Sequence, residues 1–311
     1  MIKTRIRKRL ERWGALLIFW IANLLSRQAA LKMGEILSDV AYNLLHRFRR
    51  SAINNVTIAF GDTIPLERKQ EVVRNAFRSL GRTMIDFVRF KKYSRDYLLS
   101  LAKRVEGSEY LQNAMKESPG GVIGLACHLG SWEYGGAWMV ASGYPLVAVG
   151  KEQPDAGITK LMLELRASVG IQHIPRAKKG QKAIIQTLNS KSILGLVADQ
   201  NGGINGIFVP FFGKLASTVK GPAQLAMKKK VPIILIAALW EEYSYVIHIE
   251  PPIEMVDTGD EEADLLENTF RCQQSIENLV RQYPDQWLWG HTRWKTRPPE
   301  EIAALEAEKK K

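Results

Sequence analysis

In the first third of the chain apolar residues recur at helical spacing, and beyond residue 105 they gather into short runs separated by amphipathic stretches. Ala30, Met33, Ile36, Leu37, Val40, Ala41 and Leu44 share one face of a helix over 29–50. Ala76, Leu80, Met84, Phe87 and Val88 do the same within a helical stretch over 65–104, so this region is expected to pack on a sheet domain formed by the later residues. Residues 122–127 form an apolar run bounded by Pro119, Gly120 and Gly121, which predicts a buried parallel strand, and 132–141 predicts a helix with Ser131 as its N-cap. The alternation continues with strands at 146–149, 171–174, 193–198 and 231–237 and helices at 158–169, 181–188 and 221–230, the last with Ser217 and Thr218 available as caps. Such alternation predicts an α/β fold with a mainly parallel central sheet flanked by helices. The chain divides into four regions: a basic and apolar amino-terminal segment (1–28), a helical region (29–104), an α/β domain (105–298) and a charged tail (299–311).

Candidate chemistry sits where the first strand ends. His128 comes directly after the run at 122–127, and Glu133 stands in the first turn of the next helix. Open α/β sheets bind ligands at the carboxyl ends of their strands, and a Glu placed there can fold back toward the imidazole. The pair suits acyl transfer to an alcohol. A hydroxyl is a poor nucleophile near neutral pH; neutral imidazole takes its proton as the new bond forms, and a carboxylate fixes the tautomer and stabilises the resulting charge. On this reading His128 is the base and Glu133 its orienter. The competing reading is a structural histidine, hydrogen-bonded and inert. A metal is not expected, because this spacing matches no usual zinc helix and His46, His128, His173, His248 and His291 are scattered. Cys127 is a rival nucleophile, but successive strand residues face opposite ways, so a His128 in the cleft puts Cys127 into the sheet.

Other strand ends supply partners for that pair. Lys151 comes after one strand and Asp199 and Gln200 after another, so all three are candidates for binding substrate in the same crevice. Arg166 lies at the border of an apolar helix face, where it can snorkel, pair with Asp199 or bind a substrate phosphate. The segment 206–214 is too apolar for an ordinary loop; its glycines and Pro210 argue for a shaped loop whose phenylalanines form either core or part of an acyl-chain wall. Residues 285–298 interleave Trp287, Trp289 and Trp294 with His291, Arg293, Lys295 and Arg297. That mixture suits single-stranded nucleic acid, a membrane interface or a glycolipid phosphate. No recognisable nucleic-acid motif accompanies it, so Arg293 and Lys295 are taken as substrate-binding candidates and nucleic acid is not expected as a partner.

Charge and composition narrow the setting. The formal charge of +12 favours anionic partners, and the 46% hydrophobic content is enough for a full core. Two cysteines, Cys127 and Cys272, form no disulfide framework, in keeping with a reducing compartment. Lys3, Arg5, Arg7, Lys8, Arg9 and Arg12 precede an apolar run at 14–25 that is shorter than the ~20 residues needed to span a bilayer. This predicts a retained anchor lying in or along the inner leaflet rather than a cleaved signal, with Arg47, Arg49 and Arg50 as further contacts to phosphates.

Together, five segments resemble the bacterial late acyltransferases of lipid A biosynthesis: His128 to Glu133, the helix bearing Arg166, Ala198 to Gln200, Phe208 to Gly213, and Gln286 through Pro298. The resemblance covers nearly the whole chain. It implies a glycerolipid acyltransferase-like fold anchored at the cytoplasmic side of the inner membrane, and transfer of a fatty acyl group from acyl carrier protein or coenzyme A to a phosphorylated glycolipid. It implies no metal and no cofactor. It also implies that His128 and Glu133 form the catalytic dyad and that Arg166 and Asp199 bind substrate or shape the site. Many relatives carry Asp where this chain has Glu133, and Arg where it has Lys151, which leaves the acceptor and the chain length open, a lysophospholipid or a phosphatidylinositol mannoside included.

Overall fold

The computed structural model describes residues 14, 16–150, 153–175 and 180–301. The basic residues of the expected anchor, Lys3 to Arg12, and Lys151 lie outside the described residues, as do 302–311. What is described of the amino-terminal apolar run is helical over 16–24. No helix among the described residues is long and apolar enough to cross a membrane.

After the 16–24 helix come α1 (Arg27–Leu44), α2 (His46–Phe60), α3 (Leu66–Phe87) and α4 (Arg95–Ser100), all before the first strand. Then β1 (Ala102–Glu106), α5 (Ser108–Glu117), β2 (Val122–Ala126), α6 (Trp132–Ala141), β3 (Leu146–Gly150), α7 (Ala156–Ser168), β4 (Gln172–Pro175), α8 (Gln181–Asn189) and β5 (Ile193–Val197) come in alternation. The chain continues through β6 (Ile207–Phe211), β7 (Lys214–Thr218), α9 (Gly221–Lys229), β8 (Ile233–Glu241), β9 (Ser244–Ile249) and α10 (Glu261–Gln282). The seven-stranded sheet has the order β1-β9-β8-β2-β5-β3-β4, parallel at every pairing except the β8–β9 hairpin. The fold is therefore α/β with a mostly parallel central sheet flanked by helices, as the alternating runs predict.

Strand alternation sorts residues to two cores. Ile123, Leu125 and Cys127 face one, with Leu194, Ile233, Leu235 and α10. Val122, Ile193, Ile234, Ile236 and Ala238 face the other, with Tyr134 and Ala137 of α6. Helix α3 joins both: Val72, Val73 and Phe77 pack into the first core and Ile85 and Phe87 into the second. The boundary expected at residue 105 falls inside β1, because the helical region and the sheet share these cores.

Two segments fold differently from their expected form. Residues 206–214 make an antiparallel hairpin, β6 with β7, turned at Phe212 and Gly213, both at positive φ. Phe211 and Phe212 are buried against Trp287, Trp289 and Trp294 rather than exposed to a ligand. The same packing removes the tryptophans of 285–298 from any interface: Trp287 and Trp289 are each 1% exposed. A row of three indoles between cations is here a core element, because their large apolar area is buried against a phenylalanine-rich hairpin.

The amino-terminal helices are fixed to this body by polar contacts. Asp86, fully buried, accepts hydrogen bonds from Arg27 Nε and Nη2 and from the hydroxyls of Tyr93 and Tyr245. Arg89 donates to the carbonyls of Ala22 and Leu25, and Lys92 to that of Asn23, so the last turn of the 16–24 helix is closed by side chains from the core.

Candidate active site

The loop after β2 carries His128 and is held at nearly every residue. Leu129 bridges to Trp287, Gly130 N donates to Gln286 O, Ser131 N donates to Ala238 O, and Leu288 N donates to His128 O. Thr83 Oγ1 of α3 donates to Gly130 O at 2.8 Å. Gly130 has φ +60, and a Cβ there would meet Ala238 O at 2.2 Å, so a side chain fits neither the conformation nor the space.

Asp199 holds the imidazole. Its Oδ1 lies 2.8 Å from His128 Nδ1, while Oδ2 accepts from His128 N at 2.8 Å and from Trp287 Nε1 at 2.8 Å. Asp199 is 2% exposed and 71 residues from His128 in sequence. The sheet explains the meeting: β2 and β5 are parallel neighbours with Ala126 opposite Val197, so two residues further on His128 stands opposite Asp199. Burial works against charge on the imidazole, but the charge and hydrogen bond of Asp199, with the charge of Glu133, prevail and raise the His128 pKa above its ordinary value. For Asp199 burial works against ionisation, yet His128, its backbone N–H and Trp287 hold the carboxyl down at about 2.

Glu133 does not fill the orienting role expected of it. Both of its oxygens are taken by Arg166, Oε2 by Nε at 2.9 Å and Oε1 by Nη2 at 2.5 Å. The side chain faces the helix that carries Arg166 and reaches His128 only through its charge. Burial disfavours the Arg166 cation, and the Glu133 hydrogen bonds reverse the effect and raise its pKa. Arg166 therefore does not pair with Asp199, one of the roles open to it at the border of its helix face; it pairs with the other carboxylate.

The free side of the imidazole opens onto a cavity of about 770 Å³, lined by His128, Glu133, Arg166 and Gln200 together with apolar side chains such as Met84, Met139 and Met162. Gly124 and Gly195, partners across β2 and β5, form part of its floor, and Gly135 and Gly136 of α6 part of its wall. Such a volume with an apolar lining and few polar groups is the usual form of a small-molecule or chain-binding site. Gln200 Nε2 lies 3.4 Å from His128 Nε2 at its edge.

Other candidates fall elsewhere. Asp199 stands behind His128 and outside the cavity lining, hydrogen-bonded to the imidazole rather than facing the cavity. Arg293, expected at the substrate, is 0% exposed: it donates to Ser217 O at 2.5 Å, Thr218 Oγ1 at 2.6 Å and Gln273 Oε1 at 3.0 Å, and burial lowers its pKa to about 10. It sits under the β6–β7 hairpin, 5.0 Å over the Phe211 ring. Lys295 is exposed and not part of the cavity lining. Cys127 points into the opposite core, 2% exposed, with its thiol pKa pushed up by burial, which excludes it as the nucleophile. Trp287, Gln273 and Thr83 are supports of the site that spacing along the chain does not single out.

Residues 2–296 match the family described as bacterial lipid A biosynthesis acyltransferase. The chain belongs to that family. It is 25% identical over 290 residues to the lipid A biosynthesis palmitoleoyltransferase of Escherichia coli, covering 92% of this chain and 91% of that one. It is 24% identical over 264 residues to a lipid A biosynthesis acyltransferase of Haemophilus influenzae, covering 83% and 81%. It is also similar, at 22% over 191 residues and 60% of each chain, to a phosphatidylinositol mannoside acyltransferase of Mycolicibacterium smegmatis. The protein is thus an acyltransferase, and the resemblance read from its motifs is borne out at the level of the family.

Proposed function

We propose that this acyltransferase moves a fatty acyl group from a thioester of acyl carrier protein or coenzyme A to a hydroxyl of an anionic, lipid A-type glycolipid, with His128 as general base. The observation that carries the reading is the orientation of one ring: Nδ1 is occupied by a buried carboxylate at 2.8 Å, which leaves Nε2 as the other ring nitrogen of a histidine that lines a largely apolar cavity. A proton on Nδ1 makes Nε2 the acceptor, so the imidazole can take the hydroxyl proton as the alcohol attacks the thioester carbonyl. Asp199 stabilises the imidazolium that forms. Glu133, tied to Arg166, acts on it through charge at longer range, and the Arg166–Glu133 pair closes one wall of the cavity.

Arg166 and Lys220, both at the cavity, and the overall charge of +12 suit an anionic acceptor. Coverage of more than nine-tenths of a lipid A enzyme, against 60% for the phosphatidylinositol mannoside enzyme, favours the lipid A-type acceptor. The reading also places the protein on a membrane. Leu17, Trp20 and Leu24 are 61%, 65% and 82% exposed on one side of the 16–24 helix, and Ile36, Val40 and Leu44 form an exposed stripe on α1 beside Arg47 and Arg50. Apolar faces of this kind next to cations suit an anionic bilayer surface.

The test is a donor and acceptor screen with purified protein: acyl thioesters of graded length, on carrier protein and on coenzyme A, against a phosphorylated diglucosamine lipid precursor and a phosphatidylinositol mannoside, read by product mass. One added acyl chain on the diglucosamine lipid is the expected product. Transfer to the mannoside alone would change the acceptor, and no transfer from any thioester would overturn the reading.

A further inference from the structure

Gln200 stands beside the ring nitrogen of His128 that faces a reacting group. Its Nε2 is 3.4 Å from His128 Nε2, which is long for a bond between the two and leaves each able to engage a third group. Among the described residues no other side chain lies within hydrogen-bond distance of that nitrogen. The loop bearing Gln200 is fixed on both sides: Ala198 N donates to Ala126 O, Gln273 Nε2 donates to Ala198 O at 3.1 Å, and Asn201 N donates to His291 Nε2 at 3.0 Å. Asp199 within the same loop is locked by three further hydrogen bonds. The amide is therefore presented to the cavity from a rigid support, which is what a preorganised donor requires.

Arg166, a cation on the cavity wall, has Nε and Nη2 committed to Glu133. The backbone N–H groups of Leu129, Gly130 and Ser131, directly after His128, are all spent on protein carbonyls. Among residues 129–131, therefore, no backbone N–H remains as a donor to charge developing on a thioester oxygen beside Nε2. Gln200 supplies one.

We infer that Gln200 is a catalytic residue that donates a hydrogen bond from Nε2 to the carbonyl oxygen of the acyl donor as it becomes an oxyanion; this rests on the acyl-transfer reading above. The acceptor hydroxyl oxygen forms a bond to the carbonyl carbon while its proton passes to His128 Nε2, and the carbonyl π pair moves onto oxygen, where the Gln200 amide N–H meets it. When that pair returns to restore the carbonyl, the carbon–sulfur bond breaks and the departing thiolate takes the proton from Nε2. One ester and one thiol leave, and the imidazole is again neutral with its proton on Nδ1.

The experiment compares Gln200→Ala, Gln200→Glu and wild-type protein, each checked by circular dichroism and thermal melting, in steady-state transfer from a carrier thioester. A donor used only in the transition state lowers kcat by about 10²–10³ in the Ala variant and leaves KM for both substrates within about threefold. Gln200→Glu is expected to be slower than Gln200→Ala, because a carboxylate repels the oxyanion, and its acid limb moves to higher pH because the added charge favours the imidazolium. Binding of an alkyl thioether analogue of the donor, which lacks the thioester carbonyl, is expected to be unchanged in both variants. A kcat within about threefold of wild type, or a loss confined to KM, overturns the assignment. If Gln200→Ala keeps full turnover while His128→Ala has none, the inference fails and the acyl-transfer reading stands; if wild-type protein transfers no acyl group, both fall.

Discussion

Asp199→Asn is the sharpest perturbation of the site, because the structure dictates how the amide must lie. Oδ2 accepts two N–H bonds, from His128 N and Trp287 Nε1. An amide NH₂ in that position would face two donors, so the Asn oxygen has to take it. The NH₂ then occupies the place of Oδ1, 2.8 Å from His128 Nδ1, where it donates. Nδ1 becomes an acceptor, the ring proton moves to Nε2, and the nitrogen facing the cavity can no longer accept a proton. A forced tautomer of this kind costs about 10⁴ in kcat in the serine-protease triad, so a loss of about 10³–10⁴, or roughly 4–5.5 kcal/mol of barrier, is expected here. Folding should survive, since only one of three hydrogen bonds changes sense. The assay is single-turnover acyl transfer at neutral pH, with ¹⁵N NMR of labelled histidine to read the tautomer. A variant within tenfold of wild-type turnover, or one whose His128 keeps its proton on Nδ1, would refute the reasoning.

The same geometry sets further outcomes. The base must be neutral and its pKa is raised by Asp199 against the pull of burial, so the acid limb of kcat/KM should have its midpoint above the ordinary histidine value of 6.5; a midpoint below it would contradict the charge balance described. The sign for stability is opposite: the raised pKa favours the folded state below pH 6.5 and that contribution disappears as pH rises through the folded value, measurable as a melting temperature that declines across this window. Glu133→Gln removes the charge that pairs a largely buried Arg166 and is expected to cost about 3 kcal/mol in denaturant unfolding as well as activity, whereas an orienter acting only on His128 would leave stability intact. Arg293→Met leaves Ser217 O, Thr218 Oγ1 and Gln273 Oε1 without their donor, so a loss of roughly 3 kcal/mol with an unchanged acceptor KM is expected; a stable variant with a tenfold higher KM would return Arg293 to the substrate.

The strands β2, β3, β4, β5 and β8 and the helices between them were legible because buried parallel strands are short apolar runs and such helices carry one apolar stripe, whereas β1, the β6–β7 hairpin, β9 and α10 were not. The partner of His128 was not. Glu133 is near in sequence, and a local argument selects it, but the tertiary order of strands puts β5 beside β2 and brings Asp199 to the imidazole from 71 residues away. The available signal was a matched offset: His128 and Asp199 each stand two residues past the end of an apolar strand. Arg293 and the tryptophans beside it misled for a different reason. Cations between aromatics look like an interface when spacing is the only guide, and here Phe211, Phe212 and the buried carbonyls of β7 satisfy them internally. Gln200 lines the cavity, where a residue just beyond a strand's carboxyl end is expected to stand.

The central claim is that the Nε2 of His128 takes the proton of the acceptor hydroxyl, and turnover of a folded His128→Ala protein tests it most directly. With circular dichroism and melting like those of wild type, transfer from the carrier thioester is expected to fall by at least about 10²–10⁴, with donor binding retained. Near-normal turnover by that folded variant would contradict the account.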